Sequence, residues 1–263
     1  MAATDASPMF QAGGAAYDGF MGRYARPLAP RFADAAGVTA GQRALDVGCG
    51  PGALTTELVA RLGAGAVAAV DPSPPFVAAC AARHPGVDVQ AGRAEAIPHR
   101  DHAFDVALAQ LVLHFVGDPA AAARELRRVV RPGGTIAACV WDFAEGMQML
   151  RLFWDAAVAI DPSAPDEARV LRFGRAGEIA GLFADAGLQA IDETLLDVEA
   201  AYDDFDALWA GFLAGVGPAG AYCVALPAAQ RDRLRDDLAR RLGPRQGGFT
   251  LAARARCVRA TAP

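Results

Sequence analysis

Residues 44–58, ALDVGCGPGALTTEL, place Gly48, Gly50 and Gly52 between an apolar run and a helical pattern. Glycines in that context let the backbone approach a bound nucleotide closely, and Gly48, Gly50 and Ala53 fit the G-x-G-x-x-G/A spacing. A carboxylate, Asp71, ends the next apolar run 19 residues after Gly52, where it can accept hydrogen bonds from both hydroxyls of a ribose. The ligand expected is therefore an adenosine derivative. Charge decides which kind. A pyrophosphate needs free backbone N–H groups and a positive field, but Pro51 removes one donor and Asp46 adds a negative charge with no basic residue in the loop. A ligand carrying a sulfonium and an amino group would meet that carboxylate favourably.

The elements that must hold these residues alternate in a βαβ rhythm, the signature of a parallel sheet. Strands are predicted at 43–48, 66–70, 87–91, 104–110 and 134–141, with helices at 53–62, 74–83 and 119–130. The RPGG at 131–134 is expected to end the last of these helices and turn the chain. After Trp141 the rhythm breaks. Helices are expected in MQMLRLFWDAAVAI and RAGEIAGLFADAG, joined by the proline-rich DPSAPDEA, then a strand at 188–199. Helices at 203–214 and 227–241, interrupted by GVGPAGAY, precede a last strand at 248–260. The expected organisation is a helical cap (1–40), a ligand-binding core (41–141), a helical lid insertion (142–187), and C-terminal strands with a second helical insertion (188–263).

The stretches LDVGCGPG, AAVDPS, GRAEAIP, FDVALAQLVLHFV and LRRVVRPGG occur in the order and spacing that resembles class I S-adenosylmethionine-dependent methyltransferases, especially those of ubiquinone and menaquinone biosynthesis. The resemblance covers about residues 15–141. It implies an α/β fold, a Rossmann-like seven-stranded, mostly parallel sheet flanked by helices, with helical lid insertions. It implies S-adenosylmethionine as cofactor and S-adenosylhomocysteine as product. Gly48 and Gly50 would lie against the methionine portion, Asp46 would help hold its amino group, and Asp71 with Pro72 would meet the ribose. Ala94 and Glu95 match the segment that contacts adenine, although Arg93 stands where the family usually has an acid or amide. Gln110 matches a position at the methionine end, Tyr17 would cover the sulfonium side, and Arg23 would fork onto the methionine carboxylate. The alternative for Arg23 and Tyr24 is that they pin a surface helix.

Methyl transfer is an in-line displacement, so the protein must align the acceptor and exclude water. A base is needed only where the acceptor loses a proton. His114, after the fourth predicted strand, is the candidate base or orienting group, and a packed polar residue is its alternative. His99 and His102 are expected in a solvated turn, and the acids of YDDFD (202–206) at a solvated helix start. Trp141, Phe143, Trp154, Trp209 and Tyr222 are the candidate substrate contacts, as part of an aromatic lid over an apolar pocket. No metal is expected, because the histidines lie in separate segments.

The predicted reaction is methyl transfer to an O, N or C atom of a small, apolar or aromatic metabolite. The alternatives are a rearrangement such as cyclisation on the same fold, or a non-catalytic cofactor-binding regulator. A net charge of −5 gives no footprint for nucleic acid or an anionic membrane, although all 25 basic residues are arginine. Five widely spaced cysteines without a C-x-x-C pair point to reduced thiols in a cytoplasm. The N-terminal segment MAATDASPMFQAGG lacks signal-peptide character, so no export or membrane anchoring is expected. Oligomeric state is left open.

Overall fold

The computed structural model describes residues 14–245 and 247–263, so residues 1–13 of the expected cap lie outside it. Two helices lead, α1 (Gly14–Gly19) and α2 (Gly22–Ala36). The βαβ series then follows as β1 (Ala44–Val47), α3 (Ala53–Leu62), β2 (Val67–Asp71), α4 (Pro74–Arg83), β3 (Asp88–Ala91) and β4 (Phe104–Gln110). After these come α5 (Pro119–Val129), β5 (Val130–Trp141), α6 (Gln148–Ile160), α7 (Glu167–Val170) and α8 (Glu178–Asp185). The chain ends with β6 (Gln189–Tyr202), α9 (Phe205–Leu213), α10 (Gly217–Ala225), α11 (Ala228–Leu242) and β7 (Phe249–Thr261).

All seven strands form one sheet in the order β3-β2-β1-β4-β5-β7-β6. The pairings from β3 through β5 are parallel, and β7 runs antiparallel between β5 and β6. This is the expected seven-stranded, mostly parallel sheet. Every residue of β1 and β2 is buried, Asp46 and Asp71 included, as in strands of a sheet covered on both faces. β6 lies at the sheet's edge and its side chains are largely exposed over its first half. Helices α2 and α3 pack together, as do α5 and α8, and both groups lie against the strands. The order of connection reverses between β1 and β4. In open α/β sheets the crevice at the carboxyl ends of such strands is where ligands bind.

Three details depart from the expectations. The RPGG segment lies inside β5, because Val130 still pairs with Phe104 before the register shifts. Gly134 fits this bulge because a Cβ there would meet the Asp105 carbonyl oxygen at 2.7 Å. The GVGPAGAY interruption starts a helix, since Gly217 and Pro218 open α10, where proline suits a first turn. The proline-rich linker contains the four-residue α7, capped by the Asp166 carboxylate. Among the described residues no single helix is long and apolar enough to cross a membrane.

Candidate active site

The loop after β1 folds back on itself. The N–H groups of Gly48 and Cys49 both donate to the Val70 carbonyl, at 2.8 and 3.0 Å, and Gly52 N–H donates to the Cys49 carbonyl at 2.9 Å. Gly50 N–H donates to Asp71 Oδ2 at 2.9 Å, and Pro51 has no N–H. Every backbone donor from 48 to 52 is thus committed within the protein, so this loop offers no cradle for a pyrophosphate. Gly48 has φ +71° and Gly50 φ +54°, left-handed conformations that glycine adopts without strain. A Cβ on Gly50 would enter open space.

That open space belongs to a cavity of about 1190 Å³, its mouth included, at the carboxyl ends of β1, β2, β4 and β5. Of the candidate cofactor residues, Tyr17, Gly48, Gly50, Asp71, Pro72, Ala94, Glu95 and Gln110 all line it. Asp71 is oriented by backbone, with Oδ2 taking Gly50 N–H and Oδ1 taking Ser73 N–H at 2.8 Å. Burial raises its carboxyl pKa, and these two hydrogen bonds oppose the shift. Glu95 Oε1 accepts from Gly117 N–H at 3.0 Å, which fixes the 93–95 segment against the loop before α5. Gln110 donates through Nε2 to the Ala25 carbonyl at 3.0 Å, leaving its buried Oε1 without a partner among the described residues. A buried unpaired acceptor calls for a donor. The chain therefore fits S-adenosylmethionine: Asp71 for the ribose hydroxyls, an amide oxygen for an ammonium, and glycines where backbone must come close.

The other half of the cavity is apolar. Trp141 and Phe143 line it at the end of β5, with Leu150 from α6 and residues 216–219 from the α9–α10 corner. Leu111, directly after β4, holds φ +61°, a strained conformation for leucine on the cavity wall. His114 also lines this half, with its ring 4.0 Å from Phe115 and 5.3 Å from Phe143 between centroids. Its Nδ1 is buried without a partner, and burial pushes its pKa down to about 3. The imidazole is therefore neutral at pH 7.

A consequence for stability follows. The unfolded chain binds a proton at His114 near pH 6.5 whereas the folded protein does not until about 3. The stability this group confers is complete above 6.5 and lost as pH falls through that window. Urea denaturation of His114→Phe should show a smaller loss between neutral pH and about pH 4 than wild type, by roughly 1–3 kcal/mol. Parallel losses in the two proteins would show that His114 carries no such linkage.

Five candidates are not on the cavity wall. Arg23 is exposed, donating to the Gly19 and Ala201 carbonyls at 2.9 and 3.0 Å with its guanidinium over the Tyr202 ring. It ties the N-terminal helices to β6. Asp46 lies behind the loop, fully buried and accepting from Thr55 Oγ1 at 2.6 Å, and burial pushes its pKa up to about 7. Trp154, Trp209 and Tyr222 pack with Phe153 and Phe212, whose rings stack at 4.4 Å, so these aromatics join α6, α9 and α10 to one another. His99 is also less solvated than expected, its ring edge-on to Phe104 at 5.0 Å. Glu167 does line the cavity, and no motif marks it.

The sheet order and the committed N–H groups of the glycine loop define a class: a doubly wound α/β domain with its cavity at the strand ends and no pyrophosphate cradle in that loop. Residues 45–138 match the family model described as methyltransferase domain. The match and the sheet order agree in giving this segment the architecture of a methyltransferase domain. An uncharacterized protein of Mycobacterium tuberculosis is 34% identical over 165 residues, which are 60% of this chain and 58% of that protein. An uncharacterized methyltransferase of the same organism is 43% identical over 103 residues, 39% of this chain and 41% of that one. The chain thus spans about half the length of these curated relatives. Among solved structures, the YcgJ protein of Bacillus subtilis superposes with a TM-score of 0.56 at 17% identity, covering 89% of this chain and 97% of that one. The [4+2]-cyclase SpnF superposes at 0.52 and 19% identity, covering 90% of this chain and 80% of that one.

Proposed function

We propose that the protein transfers the methyl group of S-adenosylmethionine to a small, apolar or aromatic acceptor and releases S-adenosylhomocysteine. The supporting observation is the division of one cavity into two halves. One half pairs Asp71, the glycine loop and the unpaired Gln110 oxygen, and the other is walled by aromatic and aliphatic side chains. When bound, the cofactor supplies a methyl carbon already activated by its sulfonium leaving group. Asp71 and Gln110 orient it, and Trp141, Phe143 and Leu150 exclude water beside the acceptor. His114, neutral and weakly basic, orients the acceptor rather than taking its proton. The helical insertion at 142–187 and the second insertion within 188–263, α9 to α11, act as the lid, and the five free, buried cysteines suit a reducing cytoplasm.

The test combines binding with isotope transfer. S-adenosylhomocysteine is expected to bind by calorimetry and NAD not to bind. Labelled methyl should appear in low-molecular-mass compounds of a bacterial metabolite extract. An unlabelled new product would instead mean a rearrangement, such as the [4+2] cyclisation that gives SpnF its name, and binding without any product would mean a regulator.

A further inference from the structure

Glu167 is the acid of the apolar half of the cavity. It stands at the start of α7 and is only 4% exposed, yet it lines the cavity. One carboxylate oxygen, Oε2, accepts from the Trp154 indole at 2.7 Å, and Oε1 accepts from no described group. The nearest guanidinium is already committed. Arg151 donates to both oxygens of Asp166, at 2.8 and 3.0 Å, and also to Asp155 at 2.9 Å. The charged groups acting on Glu167 are therefore Asp166, which raises its pKa, and Arg151, which lowers it, while His114 on the same cavity is neutral. Burial dominates and pushes Glu167 up to about 7.

A structural role explains this poorly. The indole needs one acceptor, which a carboxamide supplies without the penalty of burying an ionisable group. A buried carboxyl on a cavity wall, with one oxygen held and the other taking no hydrogen bond from the described residues, has the form of an acid–base catalyst.

We propose that Glu167 is the proton acceptor of the acceptor half, and that the methylated atom is the oxygen of a small phenol or alcohol hydrogen-bonded to Glu167 Oε1. The proposal rests on the methyl-transfer reading. In the step, the O–H bond breaks and its proton passes to Glu167 and then to solvent. The new O–C bond forms as the S–C bond breaks, its electron pair remaining on sulfur. A hydroxyl suits this wall better than an ammonium, which must be stripped of water and of a proton before its lone pair can attack.

The probes are phenol, anisole and benzylamine, titrated by calorimetry into enzyme saturated with S-adenosylhomocysteine. Phenol is expected to bind about 10-fold more tightly than anisole at pH 8. That preference should fade as pH falls below about 7, where Glu167 protonates, with anisole binding flat throughout. In Glu167→Gln the carboxamide oxygen keeps the Trp154 bond and its NH2 faces the cavity, so the preference should fall below about 3-fold with S-adenosylhomocysteine affinity unchanged. The pH series on wild type serves if the variant does not fold. The proposal is overturned if phenol does not bind, if its preference over anisole is independent of pH or of Glu167, or if benzylamine is the compound that depends on Glu167. Loss of S-adenosylhomocysteine binding by wild type would instead overturn the functional reading itself.

Discussion

Replacing Gly48 by alanine is expected to weaken S-adenosylhomocysteine binding by at least about 100-fold, roughly 2.7 kcal/mol. Two costs coincide at this residue. Its φ of +71° strains any residue with a side chain, and an added Cβ would lie 2.4 Å from Val112 Cγ2 and 2.8 Å from Cγ1. Valine is branched at Cβ and both its methyls are in the way, so turning the side chain does not clear the clash and Val112, itself on the cavity wall, or the loop must shift. The two costs can be separated. Adding Val112→Ala to Gly48→Ala should recover about tenfold of the affinity, the steric part, and leave the backbone part. Calorimetry on the single and double variants checks this, and a Gly48→Ala protein that binds like wild type would show that the loop is not the cofactor's seat.

Asp71→Ala is expected to cost S-adenosylhomocysteine about 2–4 kcal/mol of binding, beyond the loss of a single hydrogen bond. The carboxylate does two jobs. It offers its remaining lone pairs to a ribose, and it holds the Gly50 and Ser73 N–H groups that shape the wall around that ribose. Truncation leaves both amides without their acceptor, so the loop relaxes as the ligand contact disappears. Adenosine alone carries the same ribose and should lose a comparable factor. If adenosine affinity were unchanged while S-adenosylhomocysteine weakened, Asp71 would be meeting the amino-acid end of the ligand and not its sugar.

The half of the molecule up to Trp141 was largely legible in the sequence because its information is local. A strand buried on both faces reads as a largely apolar run, as in β1, β2 and β4 with Asp46, Asp71 and Asp105 among the exceptions, and a glycine loop directly after β1 marks where it ends. The remainder depends on contacts between distant segments. Arg23 finds its partner carbonyl at Ala201, 178 residues away, so its direction cannot be read from its own helix. Trp154 and Tyr222 have the composition of a pocket wall, but they lie against each other at 5.5 Å between two helices. Glu167 sits in a four-residue helix within a proline-rich stretch, too short to show periodicity. Its one distinguishing property, a carboxyl held among apolar side chains, exists only after the chain has folded.

The residues proposed to hold the cofactor lie within or before 45–138, whereas Leu150, Glu167 and the 216–219 corner are contributed by sequence beyond it. The proposed cofactor site and much of the proposed acceptor wall thus come from separate stretches of chain that meet at the cavity, with Leu111 and His114 the exceptions. Evolution can therefore rewrite the second stretch without editing the first. An engineer can do the same, grafting a new segment between β5 and β7 onto an unaltered core to change what is methylated while keeping the means of methylating it.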